Sequence, residues 1–330
     1  MNTPIFSFII PHHNAPSLLS RCLISIPQRE DVQVIIVDDK SSEEYLAALK
    51  DLESKFPTFT ILYLEENAGA GHARNVGIDH ATGRWLLFAD SDDFFYEDLG
   101  AILDQYQNSP EDILYFRHIS VQSEHLDQPA ERDTWINGLY DQYLREHDEK
   151  LIRCNHCYPW GKMIRKSLVD RHHIRFDEVP YSNDVIFGVT TGCKAESVQV
   201  IDRTLYVLTE RAGSLTAEFG TKPKELETRA AVCFRSHEFI RSMGGAYVSL
   251  FQVPPPPAYY IGRMFLLDKK LFAEYFKRIP EVYPSYPVAV KQMRRCLDNR
   301  FDKLRLYIYS GWVYIRQNWF GANKHDGQVQ

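Results

Sequence analysis

From residue 5 to residue 90 the chain alternates short continuous apolar runs with longer segments whose apolar positions recur every three or four residues. Phe6–Ile10, Val32–Val37, Phe59–Leu64 and Trp85–Ala89 read as strands, the first ended by Pro11. Between them Leu18–Ile26, Ser42–Lys55 and Ala70–Ala81 read as helices. In the second of these, Ser42 is a candidate N-cap and Tyr45, Leu46, Leu49 and Leu52 form one apolar face. Runs without polar alternation suit strands covered on both faces. Strand and helix in alternation predict an α/β fold with a parallel sheet, whose ligand crevice lies outside the carboxyl ends of the strands. Three of those ends carry Pro11-His12-His13-Asn14, Asp38-Asp39 and Asp90-Ser91-Asp92-Asp93.

Beyond residue 100 the pattern loosens. Glu97–Tyr106 looks helical and Ile113–Val121 reads as a strand. Trp160-Gly161-Lys162, an Asn183-Asp184 turn, a helix over Val185–Cys193 and a strand over Thr204–Thr209 follow. After Leu215 the reading is mostly helical, with Lys224–Met243 and Ala258–Lys277 separated by the extended break Val253-Pro254-Pro255-Pro256-Pro257. A boundary near Glu218 is expected, giving a domain at 1–218 and a helical region at 219–330. In that region Leu297, Phe301, Leu304, Ile308, Trp312, Ile315 and Trp319 recur at helical spacing as one stripe. Core packing, a homo-oligomer contact and an anionic membrane surface over 291–320 are all open for it.

Charge sharpens that choice. The 330-residue chain carries a net charge of -6, which argues against a nucleic-acid binder. Yet residues 291–324 hold eight Lys or Arg against Asp298 and Asp302, a net of +6. No basic leader precedes the first apolar run, and no stretch is apolar for the ~18 residues of a membrane span. A cytoplasmic protein is expected, peripheral at the inner face of the membrane if the stripe meets lipid. Six cysteines in a chain of this length do not make a disulfide scaffold. Cys154-Asn-His-Cys157 has CxxC spacing without a second pair, so ordinary packing is the expectation.

The candidate chemistry lies between Glu66 and Asp93. A glycine-bearing turn opens a small-residue helix whose N-terminus suits phosphate. The acids after Phe88 suit a hard cation, Mn²⁺ or Mg²⁺, which keeps waters and completes its shell with substrate phosphate. A diphosphate ligand is therefore expected. Capping of local turns by Asp and Ser is the competing explanation for each acid taken singly.

Five blocks then resemble the family 2 glycosyltransferases, nucleotide-sugar enzymes of the GT-A fold, and in particular bacterial members that build surface polysaccharide or lipopolysaccharide. They are Ser7–Asn14, Val34–Asp39, Glu66–Gly69 with Ala73–Gly77, Phe88–Asp93 and Tyr181–Asp184, with weaker agreement at Trp160–Lys162 and Arg211–Thr216. The resemblance covers about residues 5 to 216. It implies a UDP-sugar donor held by Pro11, Asn14, Asp38, Asp39, Asn67, Gly69, Arg74, Asp90 and Ser91, with Asp39 by the uracil. It also implies metal at Asp92 and Asp90, and Asp184 as general base of an inverting transfer to a glycan or lipid-linked glycan. Asp93, Trp160, Lys162 and Asn183 fall on the acceptor side in that scheme. Where the family commonly has Glu-Asp or Asp-Asp, this chain has Asn183-Asp184. His12, His13 and His72 also depart from the usual residues, to tune the donor site or to pack. A protein or soluble acceptor, and a non-catalytic sugar-nucleotide-binding module, are the alternatives.

Overall fold

The computed structural model describes residues 4–56, 58–211, 220–248, 250–251, 256–297 and 299–320, the side chains of 312 and 315–320 excepted. The expected boundary at Glu218, the 212–216 part of the weaker block and most of the proline break lie outside these residues. The chain divides into two compact units, Met1–Ala217 with Met243–Phe251, and Glu218–Ser242 with Gln252–Gln330.

The first unit is built on one mixed sheet. Its strands are β1 (Phe6–His12), β2 (Val32–Asp38), β3 (Phe59–Tyr63), β4 (Trp85–Phe88), β5 (Phe94–Phe95), β6 (Ile113–Gln122), β7 (His125–Pro129), β8 (Lys162–Arg165) and β9 (Val198–Glu210). They lie in the order β3-β2-β1-β4-β8-β6-β9-β5, with β7 on β6. The first four are parallel, joined by helices α1 (Pro16–Ile24), α2 (Glu43–Lys55) and α3 (Ala70–His80). Alternate β1 side chains enter different cores: Phe6, Phe8 and Ile10 join one cluster, Ile9 the other with Ile35, Val37 and Phe88. This two-sided burial is why these strands read as continuous apolar runs. The chain builds outward from β1 to β3, then returns to place β4 on the opposite side of β1. That reversal marks the ligand crevice of an open α/β sheet, between the carboxyl ends of β1 and β4.

Several expectations are corrected. Pro11 does not end β1, which continues to His12 with Pro11 opposite Val37. Pairing with β4 stops at Ile9, so on that side no strand needs the N–H that proline lacks. β8 was not foreseen; it is four residues long and runs antiparallel to β4 and β6. β9 begins six residues earlier than the expected Thr204, because its first half pairs with β6.

In the second unit, helices Pro223–Ser242, Pro257–Leu267, Lys269–Lys277 and Tyr286–Arg295 enclose a core that includes Leu226, Phe234, Ile261, Phe265, Phe272 and Met293. The single helix expected over 258–277 is two, because Asp268 leaves helical geometry and its carboxylate caps the second through the Lys270 and Leu271 amides. The last helix, Arg300–Phe320, meets the core through Leu306, Ser310 and Val313. Of the sequence stripe, Leu297 is buried in that core, while Phe301, Leu304 and Ile308 are 78%, 56% and 63% exposed. Trp312, Ile315 and Trp319 lie outside the described side chains. Among the described residues no helix is long and apolar enough to cross a membrane.

Candidate active site

The end of β2 organises one wall of the crevice. Asp39 accepts hydrogen bonds from the backbone amides of Ala68 and Gly69, one on each carboxylate oxygen at 2.8 Å. It thereby braces the turn in which Gly69 adopts φ 90°, a conformation that favours glycine, before α3 begins. The Asn67 side chain donates to the Asp39 carbonyl at 3.1 Å, and His13 Nδ1 lies 2.9 Å from the same oxygen. Asn14, also left-handed at φ 54°, accepts from the Ser42 amide through Oδ1. Asp38 points inward instead. It is buried, taking Nδ1 of His12 at 2.8 Å and both the hydroxyl and amide of Ser41. Burial pushes its carboxyl up, but the hydrogen bonds from His12 and Ser41 outweigh this and hold it below the usual range. The Ala15 amide donates to His12 Nε2, which assigns the ring proton to Nδ1. His12 therefore packs, and with Asp38 holds the loop after β1 to the loop after β2.

The acids after β4 divide by environment. Asp90 lies at the crevice with its side chain about one-third exposed, its carboxylate taking Arg74 Nη2 at 2.5 Å and its amide donating to the Tyr206 hydroxyl. Ser91 is half-buried beside it. Asp92 keeps a partly exposed carboxylate, 3.3 Å from Arg211 Nε, while its carbonyl accepts from Arg21 and Thr209. Burial, and then the charge of Asp90, push its carboxyl up. Asp93, expected on the acceptor side, is 1% exposed and accepts from the Thr209 amide, fastening β9 to the end of β4. Arg21 was missed because nothing in its helical context marks it.

Helix α3 joins these acids to the Asn183-Asp184 turn. Arg74, almost wholly buried, donates to Asp90 from Nη2 and to the Asn183 side chain from Nη1 at 2.9 Å. Its guanidinium lies 5.3 Å from the Phe176 ring centroid. Asn75 holds the same segment by its backbone, accepting from the Phe176 amide and donating to the Phe176 carbonyl. The approach is close enough that a Cβ on Gly71 would fall 2.1 Å from the Asp177 carbonyl oxygen. Asp184 is the N-cap residue of the helix Val185–Lys194, but its side chain accepts no capping bond there. His72 Nδ1 lies 3.1 Å from Glu178.

Trp160 and Lys162 are interior. Trp160 stacks between Tyr158 and Tyr206, and Lys162, 1% exposed, donates to the His156 carbonyl at 2.6 Å. Burial lowers the Lys162 ammonium to about 7, against the opposing pull of Cys157 and Asp184. Cys154 and Cys157 are free, buried thiols, both pushed up by burial.

Asp90 and Asp92 both present partly exposed carboxylates, the first paired with Arg74 and the second with Arg211. Among the described residues no three His, Cys, Asp or Glu side chains form a complete cage. Carboxylate oxygen is the donor type that suits a hard divalent ion sharing its shell with phosphate.

The fold and the sequence together define a glycosyltransferase. The pattern of glycosyl transferase family 2 matches residues 7–172, and the chain belongs to that family. Among its relatives is the uncharacterized glycosyltransferase EpsJ of Bacillus subtilis, 23% identical over 248 residues, 71% of this chain and 70% of EpsJ. The poly(ribitol-phosphate) β-N-acetylglucosaminyltransferase TarS of Staphylococcus aureus is 24% identical over 67% of this chain, a match that spans 38% of TarS. The crystal structure of TarS residues 1–349 with UDP-GlcNAc has the same fold, with a TM-score of 0.65 at 20% identity over 95% of this chain and 92% of that one. The mannosyltransferase PcManGT of Pyrobaculum calidifontis, in complex with GDP-Man and Mn²⁺, gives 0.56 at 14% identity over 97% and 88%.

Proposed function

We propose that the first unit is the catalytic domain of an inverting, divalent-metal-dependent transferase that moves a sugar from UDP to a hydroxyl of a growing cell-surface glycan, free or lipid-linked. The observation that carries this is the double engagement of Arg74 with Asp90 and Asn183, which ties the donor-side acids to the turn bearing Asp184. The UDP-GlcNAc complex of TarS supports the choice of donor.

In this reading Asp39 accepts the imide N–H of uracil with lone pairs left over from the Ala68 and Gly69 amides. Pro11, Asn14 and Asn67 shape the pocket around it, and Gly69 leads into the α3 N-terminus, which faces phosphate. Asp90 and Asp92 hold the metal, Mn²⁺ or Mg²⁺. When bound, that ion supplies charge neutralisation to the departing diphosphate. Arg74 adds a fixed cation and holds Asp90 in place. Asp184 takes the proton of the acceptor hydroxyl as it attacks the anomeric carbon opposite UDP, so an α-linked donor gives a β-glycoside. Asn183, which cannot ionise, leaves the carboxylate role on this turn to Asp184.

The test is UDP release from a panel of UDP-sugars, with Mn²⁺, Mg²⁺ or EDTA, alongside UDP binding. Wild type is expected to turn over one donor only with metal. Asp92→Ala is expected to lose metal-dependent binding and turnover together. Asp184→Asn is expected to keep binding while transfer falls about a hundredfold to ten-thousandfold. Wild-type turnover in Asp184→Asn would remove it as the base, and UDP binding indifferent to metal would remove the metal site.

A further inference from the structure

On the last helix three members of the stripe, Phe301, Leu304 and Ile308, face away from the core. At about 100° per residue, positions 301, 304 and 308 fall on the side of the cylinder opposite 306, 310 and 313. The latter three are buried, while Phe301, Leu304 and Ile308 are 78%, 56% and 63% exposed. Arg305 borders this face on one side; Tyr307 and Tyr314, 60% and 45% exposed, border it on the other. A run of large apolar side chains facing water over several turns marks a contact surface.

The surroundings select the partner. Arg300 and Arg305 on this helix, and Lys291, Arg294 and Arg295 on the preceding one, are exposed. Arg294 lies 5.7 Å from the Tyr307 ring centroid, so the preceding helix brings its cation to the edge of the apolar face. Asp302 is already paired with Arg305 at 3.3 Å. The segment 291–324 is +6 in a chain that is -6 as a whole. Pairing of this face with a second copy across a two-fold axis would set that positive segment against itself. A bilayer with anionic headgroups fits both features: phosphates accept from Arg and Lys, while Phe301, Leu304 and Ile308 enter the acyl boundary and the tyrosines sit at the interface.

We infer that the exposed face of the last helix around Phe301, Leu304 and Ile308 is a docking surface for an anionic membrane, with these three side chains inserted and the flanking Lys and Arg at headgroup level. This does not rest on the transferase reading, and it concerns no residue of the donor site.

The full-length protein is to be sedimented with vesicles of phosphatidylcholine alone and of phosphatidylcholine mixed with phosphatidylglycerol, at low and high salt. UDP release in solution is measured on the same samples. Wild type is expected to bind the anionic vesicles, to bind the neutral ones weakly, and to be released by salt. Phe301→Ser/Ile308→Ser is expected to lower vesicle affinity about tenfold or more, with UDP release unchanged. Arg294→Gln/Arg295→Gln is expected to weaken binding and flatten its salt dependence. The proposal is overturned if anionic vesicles leave wild type in the supernatant, or if the Phe301/Ile308 variant binds as wild type does. It is also overturned if lipid-free sedimentation shows a dimer that this variant loses, which would give the face to a second copy. Because UDP release is read separately, vesicle binding can fail while the donor site stands, and the reverse.

Discussion

At the scale of single residues, neighbouring acids of similar appearance do different work. Asp38 and Asp39 are consecutive, yet Asp38 is consumed by His12 and Ser41 inside the protein while Asp39 holds the turn before α3. Asp92 and Asp93 divide in the same way, one at the crevice and the other under β9. The sequence shows that acids gather at strand ends; it does not show which way each carboxylate turns, because that depends on amides and hydroxyls from distant segments. Asp38 gives a measurable consequence. Its folded-state carboxyl is held below the ordinary value of about 4, so the stabilisation it contributes is complete above that value. It is lost as pH falls through the lower, folded value. Asp38→Asn is therefore expected to reduce stability by about 1–3 kcal/mol at neutral pH. The gap from wild type should close below about pH 4, as read by denaturant melts across the range.

Among the elements, the parallel strands were legible because burial on both faces leaves no polar alternation, and the acids at their carboxyl ends marked the rim of the crevice, while its place between β1 and β4 follows from the sheet order. β8 was not legible: four residues beginning with lysine carry too little pattern, and its pairing partners are far away in sequence. In the last helix, periodicity revealed a stripe but could not say whether water or protein lay against it. The weaker set of Leu306, Ser310 and Val313 won the core. Helix approach is a further feature that spacing alone conceals. A Cβ on Gly188 would fall 2.0 Å from the Cys157 carbonyl oxygen, backbone that cannot swing aside. Gly188→Ala is expected to destabilise by about 1–3 kcal/mol. Gly138→Ala, on an exposed helix position with open space around it, is expected to stabilise by about 0.4–1 kcal/mol. Thermal melts of the two variants would separate close approach from the general effect of replacing glycine.

For the whole molecule, the chain passes between its two compact units after residues 217, 242 and 251, so residues 243–251 return to the first unit. There the Leu250 carbonyl accepts from the buried Asn155 side chain at 2.8 Å. The six thiols report on the integrity of both units. Cys22, Cys154, Cys157, Cys193 and Cys233 are buried and Cys296 is intermediate. Burial pushes all six thiols up, which withholds the reactive thiolate. A native sample treated with a coloured disulfide reagent is expected to release one equivalent of dye slowly, from Cys296, and the remainder only on unfolding. Rapid release of several equivalents would contradict this packing. Cys296 follows the helix Tyr286–Arg295 and precedes the last helix. A fluorophore attached to that one sulfur would turn the protein into its own reporter, changing colour or brightness as the neighbouring surface leaves water.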